Sequence, residues 1–177
     1  TPTPASALLS GLVGSEMCIR DSLHFSLSTR RLRGMIPALM EETLVLLKPD
    51  CLEGRKCGEV LKRFEEAGFD VFGVKMMRLS DKILREHYAH LADKPFFPEI
   101  QGFMQSSPVV ALAMRGENAI TRVRDMVGPT DSTVAEKGTI RGDFGQDKMK
   151  NVVHASDSVE NGQAELKRFF AEGELHG

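Results

Sequence analysis

Asn151-Val152-Val153-His154-Ala155-Ser156-Asp157-Ser158 closes a long polar segment, passes through a short apolar pair and ends at a helix start. Val152-Val153 reads as a short last strand, because β-branched side chains suit a pleated, half-buried surface. Asp157, followed three residues on by Glu160, reads as a capping pair for a final helix through Val159, Leu166 and Phe170. One histidine therefore stands between a strand and a helix, with Gly138-Thr-Ile-Arg-Gly-Asp-Phe144 just upstream. A neutral imidazole is available near pH 7 and can act as a nucleophile toward phosphate. Arg141 can steady the charge of a transferring phosphoryl group through a bidentate fork, and Asn151 adds a neutral donor and acceptor. Taken alone, a single histidine after a strand also fits a purely structural role.

Working toward the N-terminus, strand and helix signals alternate. Thr43 to Leu47 is a short, almost continuous apolar run, consistent with a buried strand. Gly58 to Ala67 sets Val60, Leu61, Phe64 and Ala67 on one helical face, with Gly68 to end the helix. Phe69 to Leu79 carries Phe72, Val74 and Met76 at period two and reads as a strand. Ser80 caps a helix whose Ile83, Leu84, His87, Tyr88 and Leu91 face one way. Lys94 to Gln101, with prolines on both sides of two phenylalanines, reads as turn-rich. Pro108 to Met114 is the next strand, and Glu117 to Val127 a helix stopped by Gly128-Pro129. Thr130 to Met149 is long and polar, which is unusual in a compact domain unless it serves a site or an interface. The order is β-α-β-α-β-α-loop-β-α. Setting aside the second helix leaves βαββαβ, an α+β fold of the ferredoxin-like type: a four-stranded antiparallel sheet covered on one face, with additional helices.

Bulk properties narrow the function classes. At 177 residues, 41% apolar and 27% charged, the chain suits one globular domain with a sizeable core. A net charge of −2 gives no electrostatic reason for a nucleic-acid or membrane-surface role. Three cysteines, Cys18, Cys51 and Cys57, have no metal-type pairing and fit free thiols in a reducing, cytoplasmic setting. No apolar run approaches the ~20 residues that span a bilayer. Residues 1–34 differ in character: they are rich in Ser, Thr, Pro and Gly, carry Arg20, Arg30, Arg31 and Arg33, and show no sustained period. An Arg- and Ser-rich, acid-poor lead resembles an organellar transit segment. Val13-Gly-Ser-Glu-Met-Cys-Ile-Arg-Asp-Ser22 also resembles a translated library adapter, and position 1 is not methionine. The expectation is a disordered lead over 1–34, with the domain spanning 35–177 and a start at Met35 or Met40.

Lys48-Pro-Asp50 at the end of an apolar run, His87-Tyr88 in a helical pattern, Lys94-Pro-Phe-Phe-Pro98, Val123-Arg-Asp-Met-Val-Gly-Pro-Thr130, Gly138 to Phe144 and Asn151 to Ser158 follow one another in order. In that order and at those spacings, the chain resembles the nucleoside diphosphate kinase family from about Glu41 to Phe170. The resemblance implies a ferredoxin-like fold and transfer of a γ-phosphoryl group from a nucleoside triphosphate to a diphosphate. It implies ping-pong kinetics through a phosphohistidine on His154, oriented by Glu165. Lys48, Arg124, Thr130 and Arg141 match the family's phosphate and sugar contacts, and Asn151 its ribose contact. Tyr88 matches a tyrosine near the transferring phosphate. Phe96 matches the aromatic that stacks on the base, with Ile100 walling the same pocket; stacking tolerates any base. Asp157 matches an aspartate that acts on Mg²⁺ through water. ATP, GTP, ADP and GDP are the implied small-molecule partners, and a tetramer or hexamer the implied homo-oligomer, with no membrane and no sequence-specific nucleic acid.

Neither common phosphate-binding glycine loop is present, so side chains must hold the phosphates. Ala155 stands where the family usually has glycine, which predicts a backbone less able to adopt special torsions. Cys51 replaces a Gly or Ala. Ser132 and Lys137 replace loop prolines, predicting a less rigid loop. The rival reading is a catalytically silent nucleotide- or nucleic-acid-binding ferredoxin-like module. RNA-recognition domains share the element order, but neither Phe69 to Leu79 nor Val109 to Met114 offers their pair of exposed rings. A regulatory or scaffolding paralogue with residual activity is the third.

Overall fold

A computed structural model describes residues 39–176, all within the compact unit Ile36–Gly177. The expectations placed on residues 1–34 lie outside the described residues. The elements are β1 (Met40–Leu47), α1 (Pro49–Glu53), α2 (Cys57–Glu66), β2 (Asp70–Met77), α3 (Asp81–His87), α4 (Phe97–Ser106), β3 (Val109–Glu117), α5 (Ala119–Val127), a 3-10 turn (Ser132–Val134), α6 (Ile140–Phe144), β4 (Val153–Ala155) and α7 (Val159–Phe169). The sheet order is β2-β3-β1-β4, antiparallel at every pairing. This is the ferredoxin-like βαββαβ core. Among the described residues, no helix is long and apolar enough to cross a membrane.

The sheet is covered on both faces, not on one. Val45, Leu47, Leu112 and Met114 pack with Val60 and Phe64 of α2 and Val123 and Val127 of α5. Leu44, Leu46, Ala111 and Ala113 pack on the other side with Leu84, Phe97, Met104, Leu166 and Phe169. Two covered faces explain why Leu44–Leu47 of β1 and Val109–Met114 of β3 are apolar without a break, where a half-solvated antiparallel strand would alternate. The correction matters for the site. His154 lies opposite Leu46 in the β1–β4 register, and cross-strand partners share a face. The histidine is thereby delivered to the layer of α3, α4 and α7.

Local chemistry sets the element ends. Ser80 accepts the Ile83 N–H as an N-cap, and Gly68, at φ +81°, follows α2 as expected. At α7 the cap is Ser158, which accepts the Asn161 N–H. Asp157, predicted to cap, instead accepts from the Asn161 side-chain amide at 2.6 Å. Lys94 to Gln101 is only partly turn: α4 begins at Phe97 with a proline in its first turn, where a missing N–H is harmless. The long polar segment is similarly organised from within. Asp131 and Thr139 cap its two short helical pieces, and Asp143 pairs with Arg63 of α2 at 2.8 Å.

Candidate active site

The ten candidate site residues line one cleft of about 940 Å³: Lys48, Tyr88, Phe96, Arg124, Thr130, Arg141, Asn151, His154, Asp157 and Glu165, with Ile100 also on its wall. Lys48 directly follows β1, Tyr88 directly follows His87 at the end of α3, and Gly128 follows α5, while β4 and α7 carry His154 and Glu165. The cleft thus opens where these ends converge.

The Glu165 carboxylate fixes the imidazole. Oε1 lies 3.0 Å from His154 Nε2, and Oε2 accepts from Ser156 Oγ at 2.5 Å. Ser156 Oγ in turn accepts the Leu44 N–H at 3.1 Å, tying the pair to β1. A carboxylate at Nε2 favours the proton there and leaves Nδ1 with a free lone pair. His87 packs edge-on against His154, with ring centroids 4.4 Å apart. Burial, then the neighbouring His154, lowers its pKa to about 2, so His87 adds no positive charge there. Burial likewise pushes the Tyr88 hydroxyl well above its ordinary value, and it remains protonated. Ser156 and His87 were not assigned roles from the sequence. The Ser156 signal was present in its position two residues after the histidine, on the same strand face.

The cations are held without being neutralised. Arg141 donates to two carbonyls, Gly128 O at 2.8 Å and Val153 O at 2.9 Å. Its Nε has no partner among the described residues. Burial, then Arg124, lowers the Arg141 pKa to about 10. Lys48 Nζ donates to Met149 O at 2.5 Å and Asn151 Oδ1 at 2.8 Å, and burial lowers its pKa to about 8. Asn151 Nδ2 reaches back to Thr130 O at 2.9 Å. One buried cation, Lys48, and one half-buried cation, Arg141, each oriented by neutral oxygens, form a site whose charge balance calls for an anion. Phe96, 45% exposed, stands at the rim with its ring available for stacking.

The strained point of the site is Val152, not position 155. Val152 has φ +60°, where β-branched residues are rare, and the Asn151 carbonyl accepts the Val153 N–H at 2.7 Å across a tight turn. Ala155 lies in regular strand opposite Val45, so no special torsion is required of it. The turn is braced by Asp50, whose Oδ2 accepts the Val152 N–H at 2.9 Å.

A divalent ion that accompanies polyphosphate wants oxygen donors and keeps several waters. Asp157 fits such an ion: it faces the cleft, and the Asn161 amide holds its carboxyl below the ordinary range. The cluster His87, His154 and Glu165 is nitrogen-rich and unsuited to that ion.

A split βαββαβ sheet bearing a carboxylate-held histidine in a cation-lined cleft defines a domain built to receive polyphosphate beside a basic nitrogen. The family model for nucleoside diphosphate kinase matches residues 41–175. The mitochondrial nucleoside diphosphate kinase of Columba livia is 47% identical over 139 residues, covering 78% of this chain and 77% of its own. That of Acetivibrio thermocellus is 44% identical, over 75% of this chain and 98% of its own. Among solved structures, the Aquifex aeolicus nucleoside diphosphate kinase superposes with a TM-score of 0.74 at 44% identity, covering 77% of this chain and 99% of that one. A halophilic nucleoside diphosphate kinase from Halobacterium salinarum, in complex with CDP, gives 0.76 at 38% identity over 78% and 93%. The chain belongs to the nucleoside diphosphate kinase family, enzymes that move a phosphoryl group between nucleoside tri- and diphosphates.

Proposed function

We propose that this protein transfers the γ-phosphoryl group of a nucleoside triphosphate to a nucleoside diphosphate by way of a phosphohistidine on His154. The observation that carries the reading is the 3.0 Å contact between Glu165 Oε1 and His154 Nε2, which supports Nδ1 as the nucleophile. Nδ1 donates its lone pair to the γ-phosphorus as the bond to the bridging oxygen breaks. The nucleoside diphosphate leaves with that electron pair, and the ring keeps its proton on Nε2. The resulting imidazolium charge faces Glu165. A second diphosphate reverses the steps at the same site. Lys48, Arg124 and Arg141 bind the phosphates, with Thr130 at the phosphate end and Tyr88 beside the transferring group. Asn151 holds the ribose hydroxyl, and Phe96 stacks on the base with Ile100 behind it.

Asp157 would hold a divalent cation, which we take to be Mg²⁺, through water, and that ion would supply charge neutralisation on the phosphates. The Halobacterium relative binds CDP, which supports a nucleotide in this cleft. We infer a homo-oligomer, tetramer or hexamer, because edge strand β2 leaves Val74 60% and Met76 65% exposed, a surface that gains from burial. We also infer that residues 1–34 are a lead dispensable to the domain at 35–177, and that the enzyme works in the cytoplasm. An organelle is the alternative if that lead is a genuine transit segment; a reporter fused to 1–34 decides by where it goes. Initial rates with ATP and a panel of diphosphates test the reaction. Parallel double-reciprocal lines with every base are expected, and intersecting lines would rule out the covalent intermediate.

A further inference from the structure

Cys51 and Cys57 take no part in the proposed chemistry, yet their Sγ atoms lie 3.9 Å apart. Both are free thiols. Cys51 is fully buried in α1, and Cys57 opens α2 at intermediate exposure. The connecting turn carries Arg55 at φ +55°, and the Lys56 N–H donates to the Cys51 carbonyl at 2.9 Å. The backbone thus already holds the two side chains face to face. Closing a bond of about 2.05 Å requires each sulfur to move on the order of 1 Å.

We propose that Cys51 and Cys57 form a two-thiol modification site that small-molecule disulfides convert to an intramolecular disulfide, with an effect on the neighbouring active site. The partly exposed Cys57 thiolate attacks the small disulfide RSSR, forming a mixed disulfide and releasing RS⁻. Cys51, once deprotonated, then attacks the Cys57 sulfur and expels the second RS⁻. Two protein thiols are oxidised, one RSSR is reduced to two RSH, and the thiol protons end on the released thiols. Burial raises both cysteine pKa values, so the thiolate fraction is small and the reaction quickens as pH rises.

The link to the site runs through α1. Asp50, adjacent to Cys51, braces the strained Val152, and the Lys48 N–H donates to Val152 O at 2.9 Å. The Cys51 N–H donates to Lys48 O at 3.0 Å. Drawing Cys51 toward Cys57 therefore pulls on the turn that aims His154.

The full chain is incubated with glutathione disulfide at pH 7 and pH 9, and peptide mass mapping separates Cys51–Cys57 from pairs involving Cys18. A cross-linked Cys51–Cys57 peptide two mass units lighter than the dithiol, forming faster at pH 9, is expected. Turnover should fall several-fold and return with dithiothreitol, while Cys57→Ser keeps full turnover and resists the oxidant. A mixed disulfide that never closes, or linkage through Cys18 alone, overturns the site. Closure with unaltered turnover overturns its coupling to catalysis. Bond formation is read by mass and does not rest on the proposed function. The coupling does, and an inactive reduced protein would fault that function without touching the disulfide.

Discussion

At the scale of single residues, the proposed chemistry turns on which nitrogen of His154 keeps its proton. Glu165, itself held by Ser156, lies against Nε2, where a carboxylate favours the proton and would balance the charge that the proposed step develops on the ring. Glu165→Gln retains the shape and an acceptor but removes the charge. Single-turnover labelling should show phosphohistidine formation slowed by about 10²-fold with little change in KM; an unaltered rate would remove the carboxylate from the mechanism. Lys48 gives a pH signature. Its pKa of about 8 means the ammonium is lost as pH rises through that value, so nucleotide affinity should weaken above about pH 8. Lys48→Met should flatten that limb, which titration calorimetry across pH 7 to 9.5 can read. The stability sign is opposite. Between about 8 and the ordinary 10.5, the unfolded chain binds the proton that the folded chain has released, so this group's contribution to stability rises with pH.

At the scale of elements, a helix must come very close to a strand for Glu165 to reach His154. Gly162 permits it: a Cβ there would stand 2.9 Å from Glu42 O. Gly162→Ala should lift α7 off β1, lowering stability by about 1–3 kcal/mol in urea unfolding and slowing labelling of His154 as well. Loss of neither would show that the approach is slack. The helices α2, α3, α5 and α7 and the strand β2 are legible in the sequence through a hydrophobic period, β1 and β3 through unbroken apolar runs, and Ser80 and Gly68 supply end signals. The ten proposed site residues are marked in the sequence by family motifs rather than by geometry, and they line one cleft. What escaped reading had physical reasons. α1 has five residues, too few to display a period. α4 hides behind Pro95 and Pro98, which look like breakers although a proline is welcome in a first helical turn. The strain at Val152 depends on a tertiary brace from Asp50, far away in sequence. The two-sided sheet was signalled by the unbroken apolar runs of β1 and β3, whose meaning is a second covered face.

At the scale of the molecule, the polar segment from Thr130 to Met149 is held largely by its own chain, through its caps and the Arg63–Asp143 pair. Subunit contacts are thus not needed to explain its order, and the case for assembly rests on the edge of β2. Light scattering at micromolar concentration should give an oligomer, and Val74→Lys with Met76→Glu should shrink it; a fully active monomer of the unaltered chain would refute the assembly. Deleting residues 1–34 should leave melting temperature and turnover essentially unchanged, because that segment has no core-forming period, and a large loss of folded protein would show that it packs on the domain. The proposed phosphoryl transfer is covalent. Incubation with Mg-ATP should place one acid-labile, base-stable phosphoryl group on the protein, located by mass spectrometry at His154, assigned to Nδ1 by phosphorus NMR and discharged by any nucleoside diphosphate. Phosphorylation that persists in His154→Ala, or that resists discharge, would contradict the account.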